Sequence, residues 1–205
     1  MAIVINGSGT ISGISVGGLP DSIVDAGTLA TNSVDSAELI DGAVDDSHMA
    51  AMAASKLSGT VATARMPAGS VLQVVSATIG TETETTSSSY IDTALTAAIT
   101  PTSTSSKILV LVSQNAVIKS AGNGGVYGQL VRGSTVLAVL ALNVAYTANT
   151  EQNRIGSGWT SNHLDSPSTT SATTYKTQFK AFNGISAGVQ SSGAKSMITL
   201  MEIAG

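Results

Sequence analysis

Lys107-Ile-Leu-Val-Leu-Val-Ser-Gln-Asn-Ala-Val-Ile-Lys119 decides the fold. Its centre, Ile108 to Val112, is apolar at every position, so a strand built from it has two apolar faces. Such a strand lies at the centre of a covered sheet or is held at a subunit interface. Towards the C terminus, Val126–Arg132 and Thr135–Asn143 flank Gly133-Ser134, a hairpin signal. Ile155–His163 is a weaker strand. Thr173–Phe182 alternates, with Tyr175, Thr177 and Phe179 on one side and Lys176, Gln178 and Lys180 on the other. Ser196–Ile203 sets Ile198, Leu200 and Glu202 against Thr199, Met201 and Ile203. Towards the N terminus, Tyr90–Thr100 stops at Pro101 and Val71–Ile79 at Gly80. About eight strands with little helix predict an antiparallel β-sandwich, jelly-roll-like, over residues 70–205. The class is mainly β.

The first part of the chain has a different pattern. Ser22–Thr31, Asn32–Asp41 and Gly42–Ala51 align as three ten-residue repeats. Val24, Val34 and Val44 share one column, Asp25, Asp35 and Asp45 the next, and Leu29, Leu39 and Met49 a third. A repeat this short cannot bury its own apolar side chains, so it must stack on neighbouring repeats or on other chains. Residues 21–69 therefore read as an N-terminal repeat-containing fibrous shaft and neck, assembled through the Val and Leu/Met columns. A brief helix is expected over Met52–Leu57, with breakers at Ser58–Gly59 and Pro67–Gly69. The Asp column reads as turn caps, with cation binding on a shared axis as the alternative. Residues 1–20 are apolar and glycine-rich, and Ile3, Val4 and Ile5 suit docking into a partner by strand addition.

Composition narrows the function. Charged residues make up 11% of the 205 and the net charge is −4, which argues against general nucleic-acid binding. All seven aromatic residues lie between Tyr90 and Phe182, so the first part has no large anchors for a private core. There is no cysteine, which excludes disulfides and thiolate metal sites. The opening residues lack a secretory leader pattern, and no apolar run is long enough for membrane insertion, so synthesis in a cytoplasm is expected.

Candidate chemistry is sparse. The two histidines, His48 and His163, have no nucleophile elbow nearby. The carboxylates of the C-terminal part, among them Glu82 and Glu84 in one Thr/Ser-rich loop, form no evident glycosidase pair. Gly122-Asn-Gly-Gly125 lacks the Lys-Ser/Thr of a phosphate loop and reads as a turn. His163 and Asp165 alone are too few for a metal site. No catalytic residue, metal or cofactor is expected. Carbohydrate binding is the most plausible chemistry, because sugars stack on aromatics and take hydrogen bonds from Asn, Asp and His. Trp159, Asn162, His163 and Asp165 offer those groups together, and Tyr146 and Asn149 offer them elsewhere. The alternative keeps Trp159 in a core or interface and the polar residues on a loop.

Gly9-Thr-Ile-Ser-Gly13, Gly17-Gly-Leu-Pro-Asp21 and decads of the Asn32-Ser-Val-Asp and Asp41-Gly-Ala-Val-Asp kind resemble tail-fibre and related appendage proteins of tailed bacteriophages, those of cyanobacterial phages above all. Tyr175-Lys176 and Ile198-Thr-Leu-Met-Glu202 are similar to the terminal head domains of such fibres. The resemblance implies a homotrimer located in the virion, on a tail, neck or head fibre. It implies attachment to other virion proteins through the N terminus and a distal tip for a host-surface glycan or protein. It supplies no catalytic residues. Two other readings stay open: a neck, capsid or decoration protein that touches only virion proteins, and a secreted bacterial adhesin.

Overall fold

The computed structural model describes Gly59 and residues 61–148 and 156–205. Ile3, Val4 and Ile5, the columns Val24, Leu29, Val34, Leu39, Val44 and Met49, the helix expected over Met52–Leu57, and Asn149 lie outside the described residues.

The described residues form β1 (Val71–Ile79), β2 (Thr83–Thr85), β3 (Ile91–Ile99), β4 (Lys107–Lys119), β5 (Gly124–Arg132), β6 (Thr135–Thr147), β7 (Ser157–Asp165), β8 (Thr173–Ala181), β9 (Ala187–Val189) and β10 (Ser196–Ile203). Sheet 1 runs β1-β10-β4, with β7 also on β4; the short β9 and β2 extend it at the far end of β4. Sheet 2 runs β3-β8-β5-β6. The pairs β1·β10, β3·β8, β4·β7 and β5·β6 are all antiparallel and nest first with last. The pairs β10·β4 and β5·β8 join them into two sheets. This is the wrap of a jelly roll. Most strand boundaries follow the sequence reading, but β5 starts two residues earlier and β6 ends four residues later than expected, β7 lies two residues later, and β2 and β9 carry no recognisable pattern of their own.

Two apolar clusters fill the space between the sheets. One gathers Leu95, Ile99, Ile108, Val110, Val112, Leu130, Tyr175, Ile198 and Leu200. The other gathers Val117, Val126, Trp159, Phe179, Ile185 and Val189. Hydroxyl and amide groups form a bridge where the clusters meet. On β8, Thr177 is the inward residue between Tyr175 and Phe179. Its hydroxyl donates to Gln114 Oε1 at 3.1 Å, and Gln114 Nε2 donates to Ser196 Oγ at 3.0 Å. Thr93 lies 2.5 Å from the Thr177 hydroxyl. All four residues are buried, and the bridge ties β3, β4, β8 and β10 together. A fully partnered polar network of this kind fixes register, because any slip strands a buried donor or acceptor.

Beyond Gln114 the alternation of β4 breaks. Its register with β7 jumps between Gln114 and Val117, and Ala116 adopts φ 47°. The bulge bends the strand, and Val117, Ile118 and Lys119 are then buried in succession.

Near the chain's end, Glu202 on β10 is fully buried. It accepts hydrogen bonds from Gln73 Nε2 at 2.6 Å and from the Thr102 amide and hydroxyl, both at 2.7 Å. Burial opposes its charge, but the donors from Gln73 and Thr102 outweigh burial and hold the carboxyl below its ordinary value. A depressed folded value gives stability that is present above the unfolded value of about 4.3 and lost as pH falls through the folded one. We expect Glu202→Gln to lower unfolding free energy at pH 7 by about 1.5–3 kcal/mol. The deficit should shrink on acidification, as read by urea titration at neutral and acidic pH.

Candidate functional site

The residues expected to form one receptor site on β7 do not converge. Strand alternation sends Trp159, Ser161, His163 and Asp165 inward and Thr160, Asn162 and Leu164 outward. Trp159 is 8% exposed and belongs to the second apolar cluster. Its ring covers Gly128 so closely that a Cβ there would lie 2.6 Å from Cζ2. Trp159 is therefore a core residue, not a sugar platform. Asp165 is also buried. It receives both bonds from Arg132 Nη1, at 2.9 and 2.7 Å, and one from the Tyr175 hydroxyl at 2.7 Å. That clamp ties β7 of sheet 1 to β5 and β8 of sheet 2, and it corrects the expectation that Asp165 is a free hydrogen-bonding group. Burial, then the bond to Asp165, pushes the Tyr175 hydroxyl well above its usual value, so it stays a donor. His163 is half-buried, directly opposite Val110. Asn162 is exposed on the other side, opposite Leu111. Tyr146 is exposed on β6, in the other sheet, and its hydroxyl donates to Asn123 Oδ1 at 3.3 Å. Among the described residues no group of three metal-binding side chains gathers.

The solvent-facing sides of the sheets carry more organised features. On sheet 1, Val74 stands opposite Met201, Met201 opposite Leu109, and Leu109 opposite Leu164. One apolar row thus crosses all four main strands. Val74 and Leu164 at its ends are 55% and 53% exposed. The next row, Ser76, Thr199, Leu111 and Asn162, is mostly polar. A shallow cavity of about 340 Å³ opens beside it, lined in part by Leu111, Asn162, Met197 and Thr199.

Sheet 2 presents an aromatic and polar face. Tyr127 on β5 stands opposite Lys180 on β8. The Lys180 ammonium lies 4.8 Å from the Tyr90 ring centre and 5.3 Å from that of Tyr127. Phe182 packs on Tyr127 with centroids 5.7 Å apart. One row along, Gln129 Nε2 donates to Gln178 Oε1, and Gln178 Nε2 and Lys176 Nζ both donate to Asp92, all at 2.7–2.8 Å. Burial acts against the Asp92 charge, but these two donors and the Lys176 charge hold its carboxyl below the ordinary value. The sequence sets Lys176, Gln178 and Lys180 on the side of β8 opposite Tyr175, Thr177 and Phe179, but it does not show the aromatic cluster. Its signal is the run of outward positions Lys180 and Phe182, which needs Tyr90 and Tyr127 brought alongside by pairing over long separations.

No model of a protein family matches the chain, and no curated protein matches it in sequence. Solved structures of infectious bursal disease virus VP2 are similar at low level. The VP2 subviral particle gives a TM-score of 0.34 at 13% identity, covering 66% of this chain and 39% of that one. The Gt strain structure gives 0.31 at 14%, covering 72% and 43%. This chain thus spans about two fifths of the length of those it matches.

Two substitutions test the assignments on β7. Gly128→Ala drives a methyl into the Trp159 ring, and we expect a loss of about 1–3 kcal/mol in unfolding free energy. Asp165→Asn breaks the clamp, and because Arg132 is partly exposed we expect about 1–3 kcal/mol. Asn162→Ala, on the outer side, should stay within about 0.5 kcal/mol in the same urea titrations.

Proposed function

We propose that the chain is a non-enzymatic structural subunit of a virion, a jelly-roll head on a repeat-built shaft, that assembles as a homotrimer and projects from a phage particle to take part in adsorption. The observation that carries this reading is the in-register row Val74–Met201–Leu109–Leu164. An apolar row across an entire sheet face is costly in water and suits a face covered by other copies. Covering it would contribute up to about 1.5–3 kcal/mol for each side chain. The decads supply a second, independent demand for neighbouring chains, since their Val and Leu columns have no aromatic anchors. Resemblance to phage fibres supports the virion location and the attachment of the N terminus to other virion proteins.

A second reading has one observation in its favour. The β7 residues expected to meet a receptor, Trp159 and Asp165, face the core instead. A neck, capsid or decoration protein that touches only virion proteins needs no such site.

Light scattering on the purified full chain tests the assembly. We expect a particle of 3 × 20.4 = 61.2 kDa. A mass of 20.4 kDa would contradict it. Purified trimer that binds no host cells would favour the second reading over the adsorption role.

A further inference from the structure

Of the seven aromatic residues, Trp159, Tyr175 and Phe179 are core. The other four, Tyr90, Tyr127, Tyr146 and Phe182, are half-buried or exposed, and they gather at one end of sheet 2. Phe182 follows β8 and bonds its amide to the Gly125 carbonyl at 2.9 Å, which brings it beside β5. Tyr146 reaches the same end through Asn123, whose amide bonds the Thr147 carbonyl at 2.7 Å and whose carbonyl accepts from Asn183 Nδ2 at 2.8 Å. Three of the seven aromatics, Tyr90, Tyr127 and Phe182, thus meet around Lys180 at one partly exposed site, with Tyr146 at the same end of the sheet.

Stability alone accounts poorly for this cluster. An exposed cation–π contact contributes only about 0.5–1 kcal/mol. Rings half in water leave apolar faces that a binding partner can still cover. Among the described residues the Tyr90 and Tyr127 hydroxyls make no hydrogen bond and Lys180 pairs with no carboxylate. Asp92, one row away, is already engaged by Lys176 and Gln178. The site thus combines ring faces, unpaired phenol groups and one ammonium without a counter-ion, held between two of the rings. Partly exposed ring faces beside an ammonium suit a ligand that offers both apolar faces and a negative charge.

We propose that this end of sheet 2 binds an acidic saccharide: sugar rings stack on Tyr127 and Phe182, and a uronate carboxylate pairs with Lys180. The proposal rests on the adsorption half of the reading above and not on the assembly half. Weak binding at each site suits a multimeric appendage, because linked copies raise avidity by large factors. The net charge of −4 makes indiscriminate attraction to a polyanion unfavourable, so binding would report the site.

Affinity electrophoresis of the full chain tests it, in gels containing alginate, hyaluronate or polygalacturonate, with dextran as the neutral control. Light scattering on the same samples records whether the assembly is intact. Retardation by at least one uronate polymer is expected, weakened at least tenfold in Tyr127→Ala and in Lys180→Gln, and largely kept in Lys180→Arg. Asn162→Ala should behave as wild type. Intact assembly with no retardation in any uronate gel would overturn this proposal while leaving the assembly standing. So would retardation in dextran alone, or equal retardation of Tyr127→Ala and Lys180→Gln. A monomer that is still retarded would overturn the trimer and leave the site.

Discussion

Ile108 to Val112 carries apolar side chains on both faces, and sheet 2 covers only one of them. Ile108, Val110 and Val112 meet the sandwich core. Leu109 and Leu111 face the other way, and Leu109 is continued sideways by Met201, Val74 and Leu164. Among the described residues, the row on the other face of this sheet is left without a cover. A sandwich with one wet sheet normally alternates apolar and polar along every strand. Here four strands depart from that rule at the same level. The departure is coordinated, whereas isolated exposed apolar side chains would fall at unrelated positions, and this is the basis of the assembly proposed above.

Buried polar contacts give the wrap its register. The Gln114–Thr177 bridge and the Asp165 clamp each span both sheets, and Glu202 anchors β10 to β1 and to the segment after Pro101. Each places polar or charged groups where an unpaired partner would cost more than the pair contributes. Their value lies in excluding slipped alternatives, because moving a strand by one residue would expose its core set and strand these groups. The apolar clusters on either side of the bridge supply the driving force, and the polar ties select one arrangement.

Much of this sandwich was legible in the sequence because strand alternation is local. Tyr175, Thr177 and Phe179 on one side of β8, and the two-faced run of β4, are readable without knowing any partner strand. The Gly133-Ser134 hairpin was legible for the same reason. The site was not. Trp159, Asn162, His163 and Asp165 are adjacent in sequence, but a strand sends neighbours to opposite faces, and which face is inward depends on pairing with β4. The two-residue offset of β7 came from the same cause. Asp165 reads as a free carboxylate until Arg132 and Tyr175 arrive from the other sheet. The Tyr90–Tyr127–Phe182 cluster is assembled from three segments of the chain, so no single window contains it. The bulge at Ala116 breaks the period within β4 and has no residue signal, since alanine rarely takes a positive φ.

The central claim is that the outer face of sheet 1 is covered in the assembled protein. The absence of cysteine from the chain makes it directly measurable with a single introduced thiol. Leu164→Cys places one at the exposed end of the apolar row, and Thr96→Cys places another on the outer face of sheet 2. Maleimide labelling rates of the two full-length variants, measured in the native assembly and again after dissociation, decide the matter. The account predicts slow labelling at position 164 that becomes fast on dissociation, with fast labelling at position 96 throughout. Equally fast labelling of both in the native state would contradict it.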